Sequence, residues 1–74
     1  MTRLRPSKSA WPELVGWHDG DASDVIWAER PDLFVFLRRE GDPEPPTFQY
    51  DRVFLWCNET EVGVFIVSRI PVIG

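Results

Sequence analysis

Residues 38–51, RREGDPEPPTFQYD, separate two apolar runs, LFVFL at 33–37 and RVFLWC at 52–57. The segment has neither helical nor strand periodicity. Structureless connections of this length are uncommon inside compact domains and are usually functional or disordered. The prolines argue for order. Each fixes its own φ near about −65° and drives the preceding residue into an extended conformation. Asp42, Glu44 and Pro45 all precede a proline, so residues 42–46 are pre-set as an extended rod. Such a rod loses less entropy on being held still. A stiff, extended, exposed segment is what a protease cleft expects from a substrate.

The rest of the chain must hold that rod with little material. Seventy-four residues make one domain with a limited core. Cys57 is the only cysteine, which rules out an internal disulfide. Four tryptophans and five phenylalanines are the expected compensation, since each ring buries much apolar area. Eight basic against 12 acidic residues give a net charge of −4. That balance argues against nucleic acid and against an anionic membrane surface as partners. No run reaches transmembrane length. The start, MTRLRPSKSA, has the positive end of a signal peptide without the apolar core. The chain reads as soluble, with or without a trimmed leader, and its compartment stays open.

Residues 1–10 read as a loose tail and residues 11–74 as one domain. A helix is expected from Asp19 to Glu29. Asp19, Asp21 and Asp24 suit the positive end of its dipole. Ala22, Val25 and Ile26 give it an apolar stripe, and Pro31 stops it. Gly20 and Ser23 weaken its propensity, so packing must hold it. The run 33–37 reads as a strand covered on both faces, as does 52–57. A third strand is expected within residues 62–68, with NETE at 58–61 as the turn before it.

Single residues carry little catalytic signal. His18, the only histidine, sits at the helix start without a recognisable nucleophile or acid partner. Cys57 alternates with Val53 and Leu55, so it faces the core as a small apolar residue rather than acting as a thiol or metal ligand. Glu40, Asp42 and Glu44 read as a solvated rim. The sequon at Asn58 matters only in a secreted protein. Trp17 and Trp27 share the helix region and could form an exposed patch. No cofactor, metal or enzymatic activity is expected.

The motifs KSAWPELVG at 8–16, DRVFLW at 51–56 and IPVIG at 70–74 resemble the potato inhibitor I family of serine protease inhibitors. The resemblance covers residues 8–74. It keeps the spacings from Gly16 to Pro31 and from Gly41 to Asp51, with one residue fewer after Pro31 and a longer hairpin around 58–64. It implies an α+β fold: one helix on a small mixed sheet, with a long binding loop joining two parallel strands. That topology explains the long connection, because parallel neighbours cannot be joined by a tight turn. The implied partner is a subtilisin- or chymotrypsin-like serine protease. The implied contact loop is Asp42, Pro43, Glu44, Pro45, Pro46, Thr47, Phe48 and Gln49. Counting without gaps puts the vulnerable bond between Pro46 and Thr47, which leaves Pro46 without an N–H to offer the enzyme. The family brace uses two arginines below the loop. Here Arg52 fills the first position and Phe54 the second, while Pro45 and Thr47 replace the threonine and the acid that they reach. The expectation is a largely dismantled polar brace, with Arg52, Phe54 and Trp56 on one strand face. Phe54 is expected under Pro45 and Pro46, and any surviving polar support comes from Arg52.

The alternative is a non-inhibitory binding module on the same fold, either with a decayed site or using the PxxP spacing of Pro43 and Pro46 as a ligand. In either case the chain is expected to be a monomer.

Overall fold

The computed structural model describes residues 8–74. Pro12 opens a single 3₁₀ turn, Pro12–Leu14, where its missing N–H costs nothing. Helix α1 spans Asp19–Glu29, followed by β1 (Phe34–Arg39), β2 (Arg52–Glu61) and β3 (Val64–Val67). The strands form one sheet in the order β1-β2-β3, with β1 parallel and β3 antiparallel to β2. This is the expected α+β architecture.

Asp19 and Asp21 occupy the first turn of α1, against its positive end. Ala22 and Ile26 are buried and Val25 packs at their flank, as the spacing predicts. On β2 the alternation sends Val53, Leu55 and Cys57 into the core with Trp11, Leu14, Leu33 and Val67. Burial pushes the Cys57 thiol up to about 11, with Asp19 and Glu40 adding to the effect.

Three expectations change. The strand at 33–37 is not covered on both faces. β1 is an edge strand, with Phe34 59%, Phe36 48% and Leu37 41% exposed. Only β2, flanked on both sides, earns its continuous apolar run. Residues 58–61 are not a turn, because β2 continues to Glu61. The turn is Val62 and Gly63, with Gly63 at φ 80° and Val62 at negative φ, the sign pattern of a type II turn. A register shift between Glu59 and Glu61 adds the local twist that such a turn lacks. The aromatic compensation is partial. Trp11 and Trp56 are buried, whereas Trp17 and Trp27 stay 42% and 46% exposed.

Of the expected tail, residues 1–7 lie outside the described residues. Residues 8–10 are tied in: Ile73 N donates to Ser9 O at 3.1 Å, and Ala10 bridges to Val72. The last residues run back along the sheet. Ile73 bridges to Val53, and Gly74 N donates to Arg52 O at 2.8 Å. Gly74 is thereby fixed at the start of β2.

Candidate functional site

The connection between the parallel strands β1 and β2 lies over the face of β2 that carries Arg52, Phe54 and Trp56. Its departure from β1 is pinned locally. Asp42 N donates to Arg39 O and Arg39 N donates to the Asp42 carboxylate, both at 3.0 Å. Between them Gly41 takes φ 98°, which explains glycine there.

Two arginines hold the first half of the connection. Arg38 donates to Pro43 O, with its guanidinium 5.2 Å from the Phe54 ring centroid and 5.5 Å from that of Trp56. Arg69, just past β3, donates to both oxygens of Glu40 at 2.8 and 2.9 Å and lies 3.6 Å from Glu44. It also stacks 4.2 Å from the Trp56 centroid. Arg69, with the Ser68 hydroxyl, holds the Glu40 carboxyl well below its usual range, at about 2. Glu40 is thus a tie between the loop base and the segment after β3, not the solvated rim expected.

Arg52 holds the second half. Its side chain donates to Thr47 O and to the Gly74 oxygen, the latter at 3.1 Å from Nε. Gln49 N donates to the same Gly74 oxygen at 3.0 Å. Arg52 is 9% exposed, so these charge-assisted bonds are largely shielded from solvent. Its guanidinium lies 4.6 Å from the Phe54 centroid.

Two guanidinium groups, which the apolar seat expected from the sequence did not include, flank the Phe54 ring. Phe54 and Pro45 share the lining of a cleft of about 320 Å³, with Phe48, Trp56, Ile70 and Val72, and Pro46 takes no part in it. The polar brace is not dismantled either. It is redirected from side-chain acceptors to main-chain carbonyls, which any sequence supplies. Asp42, Pro43, Glu44, Pro46, Thr47, Phe48 and Gln49 are exposed, and Pro45 is half-buried. Phe48 packs edge-on against Tyr50, centroids 5.6 Å apart. His18 lies exposed at the start of α1, its backbone bridged to Ile66. Among the described residues no group of three metal-ligating side chains converges.

Sequence reasoning missed Arg38 and Arg69. Arg38 was accessible in principle: in parallel register it stands opposite Trp56, on the same face as Phe54. Arg69 lies just past β3, where no pattern in its neighbours marks it.

Comparison with known proteins decides the lineage. The profile of the Potato inhibitor I family matches residues 3–74. The chain belongs to the potato inhibitor I family. It is 42% identical over 67 residues to the Glu S. griseus protease inhibitor of Momordica charantia, covering 90% of this chain and 93% of that protein. It is 32% identical over 74 residues to protease inhibitor HPI of Hevea brasiliensis, covering 100% of both. A trypsin/subtilisin inhibitor of Amaranthus caudatus is 34% identical over 59 residues, covering 80% of this chain and 86% of that one. Among solved structures, the crystal structure of bitter gourd trypsin inhibitor superposes with a TM-score of 0.83 at 36% identity. It covers 93% of this chain and 96% of that one. Members of the potato inhibitor I family such as these are protease inhibitors, not enzymes.

Proposed function

We propose that this chain inhibits a serine protease of the subtilisin or chymotrypsin type, presenting residues 42–49 as a substrate-like loop with Pro46 and Thr47 flanking the bond placed in the active site. One observation carries the reading: the scaffold grips the chain on both sides of that bond. Arg38 and Arg69 hold Pro43 and Glu44 on the acyl side, and Arg52 holds Thr47 on the leaving side. If the enzyme cuts, the new amine of Thr47 stays tethered beside the acyl group. Its effective concentration then favours resynthesis over release. The proline rod supplies the other half, since a loop already in its bound shape avoids most of the ordering cost of an ordinary substrate. Names of relatives include trypsin and subtilisin as targets, which widens the enzymes to be tried.

The test is titration of trypsin, chymotrypsin and subtilisin against the purified chain, with sequencing of any cut product. Stoichiometric loss of activity and slow appearance of a fragment beginning at Thr47 are expected. Rapid cleavage elsewhere, or full activity of all three enzymes in the presence of intact chain, would favour the non-inhibitory binding module.

A further inference from the structure

The open edge of β1 is closed at both ends and bare in the middle. Phe34 N donates to Asp51 O at 2.7 Å and Glu40 N to Cys57 O at 3.0 Å. The even-numbered residues of β1 therefore turn their backbone groups to β2, and the odd-numbered ones turn theirs outward. At one end Leu33 is satisfied, donating to Arg30 O at 3.1 Å and accepting from the Trp27 indole at 2.9 Å. At the other, Arg39 N is held by the Asp42 carboxylate at 3.0 Å. Val35 and Leu37, between them, have no hydrogen-bond partner on the outward side among the described residues. Phe34, Phe36 and Leu37, all about half exposed, surround this window. No lysine, proline or bulge blunts residues 34–37, the usual protection of a free edge.

We propose that this edge pairs antiparallel with the same edge of a second copy of the chain, about a twofold axis through Phe36. In that register Val35 stands opposite Leu37 of the second copy, and Leu37 opposite its Val35. The resulting bonds use the open donors and acceptors of both copies and no others. Phe36 meets its own counterpart in the closer, non-hydrogen-bonded pair, with Cα atoms about 4.5 Å apart. Phe34 lies opposite Arg38 of the second copy. Sliding the register by two residues would break the Leu33–Trp27 or the Arg39–Asp42 bond. The window itself selects the direction: in the antiparallel register Val35 and Leu37 of each copy exchange both bonds with the other copy, whereas the staggered bonds of a parallel pair would leave some of these groups unpaired. The joined sheet runs β3-β2-β1-β1-β2-β3, with both loops on one face. The expectation of a monomer gives way to weak, reversible self-association, as befits a small interface.

The decisive experiment combines sedimentation with cross-linking. With rising concentration the average mass should climb from 8.6 kDa toward twice that value. Amide exchange should slow at Val35 and Leu37, but not at Leu33 or Arg39. Phe36→Cys should form a covalent dimer under mild oxidation, because a cross-strand pair at that spacing suits a disulfide. Val62→Cys, at a site 99% exposed but remote from the edge, should not. The buried Cys57 is common to both variants and stays silent. Leu37→Lys should raise the dimer dissociation constant at least about tenfold, with thermal melting reporting that the variant is folded. A single 8.6 kDa species at every concentration would overturn the proposal. So would equal cross-linking of both cysteine variants, or of neither. Protection of Val35 and Leu37 that is independent of concentration would also overturn it, showing the edge covered by the chain's own residues 1–7.

Discussion

The Arg52 guanidinium lies over the Phe54 ring, 4.6 Å from its centroid, while donating to the carbonyl of Thr47. One side chain thus joins the sheet face to the loop. Removing it with Arg52→Ala should free Thr47 O, and Gln49 should lose the shared anchor at Gly74. Charge-assisted bonds of this kind contribute about 1.5–3 kcal/mol. Exchange of the Gln49 amide and proteolysis between Pro46 and Thr47 should both accelerate by roughly ten- to hundredfold. Arg52→Lys should rescue only part of this, because an ammonium cannot keep the planar fork. Unchanged Gln49 exchange in Arg52→Ala would remove Arg52 as the loop's support.

Phe54 has the converse role, a platform rather than a bond donor. Its ring contacts Phe36 and Trp56, at centroid distances of 6.0 and 6.2 Å, and underlies two guanidinium groups. Phe54→Ala should cost about 2 kcal/mol of stability for a half-buried ring. It should also enlarge the cleft and speed cutting of the loop. Salt up to about 0.5 M should change that cutting rate little, because Arg52 is 9% exposed and poorly screened. A variant cut no faster than wild type, or one rescued by low salt, would show that the platform does not hold the guanidinium groups.

The helix, the parallel pair and the long connection were legible because each rests on a local rule. Ala22, Val25 and Ile26 announce a helix face, Pro31 ends it, and the alternation of Val53, Leu55 and Cys57 announces the core. The support of the loop was legible only for Arg52. A carbonyl acceptor leaves no mark in a sequence, so finding Pro45 and Thr47 where the family has a threonine and an acid reads as loss of a brace when the acceptors have moved to the main chain. The edge position of β1 was hidden for a related reason. Phe34 and Phe36 look like core residues until the register places them on the outer strand of a three-stranded sheet.

Acid should loosen one end of the loop before the other. Arg69 and Ser68 hold the Glu40 carboxyl at about 2, against an ordinary value of 4.5. A carboxylate with a depressed folded pKa stabilises fully above its unfolded value and loses that effect as pH falls through the folded one. The window is therefore about 4.5 down to 2. The group is exposed, so the effect on overall stability is small. Glu13, Glu29 and Asp32 are also lowered, by Lys8, Lys8 and Arg30 respectively, and titrate in the acid range too. The readout must therefore be local: amide exchange at residues 40–44 against that at Gln49, which is held by Gly74 and not by Glu40. Exchange at 40–44 should rise first on acidification, and Glu40→Gln should show the loosened state already at neutral pH. Simultaneous loosening of both ends would rule out Glu40 as a separate tie.

Pro46 is the residue whose replacement should gain the most. Its side chain is exposed and takes no part in the cleft beneath the loop, so the scaffold does not depend on it. As the acyl-side residue of the proposed bond it offers the enzyme no N–H, and its ring fits few specificity pockets. Pro46→Leu and Pro46→Met restore the donor and add a flexible apolar side chain. Together these should contribute about 1–3 kcal/mol toward chymotrypsin- and subtilisin-like enzymes. That corresponds to roughly five- to hundredfold in the inhibition constant. The cost is a somewhat less rigid rod, on the order of 0.4–1 kcal/mol in the unfolded-chain term. It should appear as a slight fall in melting temperature. The arginines that hold Pro43, Glu44 and Thr47 remain in place, so the tighter variant should still be cut slowly. If neither substitution changes the inhibition constant, the bond does not lie between Pro46 and Thr47. The next position to probe is then Phe48, whose exposed ring suits an aromatic pocket and lies two residues nearer the Gly74 anchor.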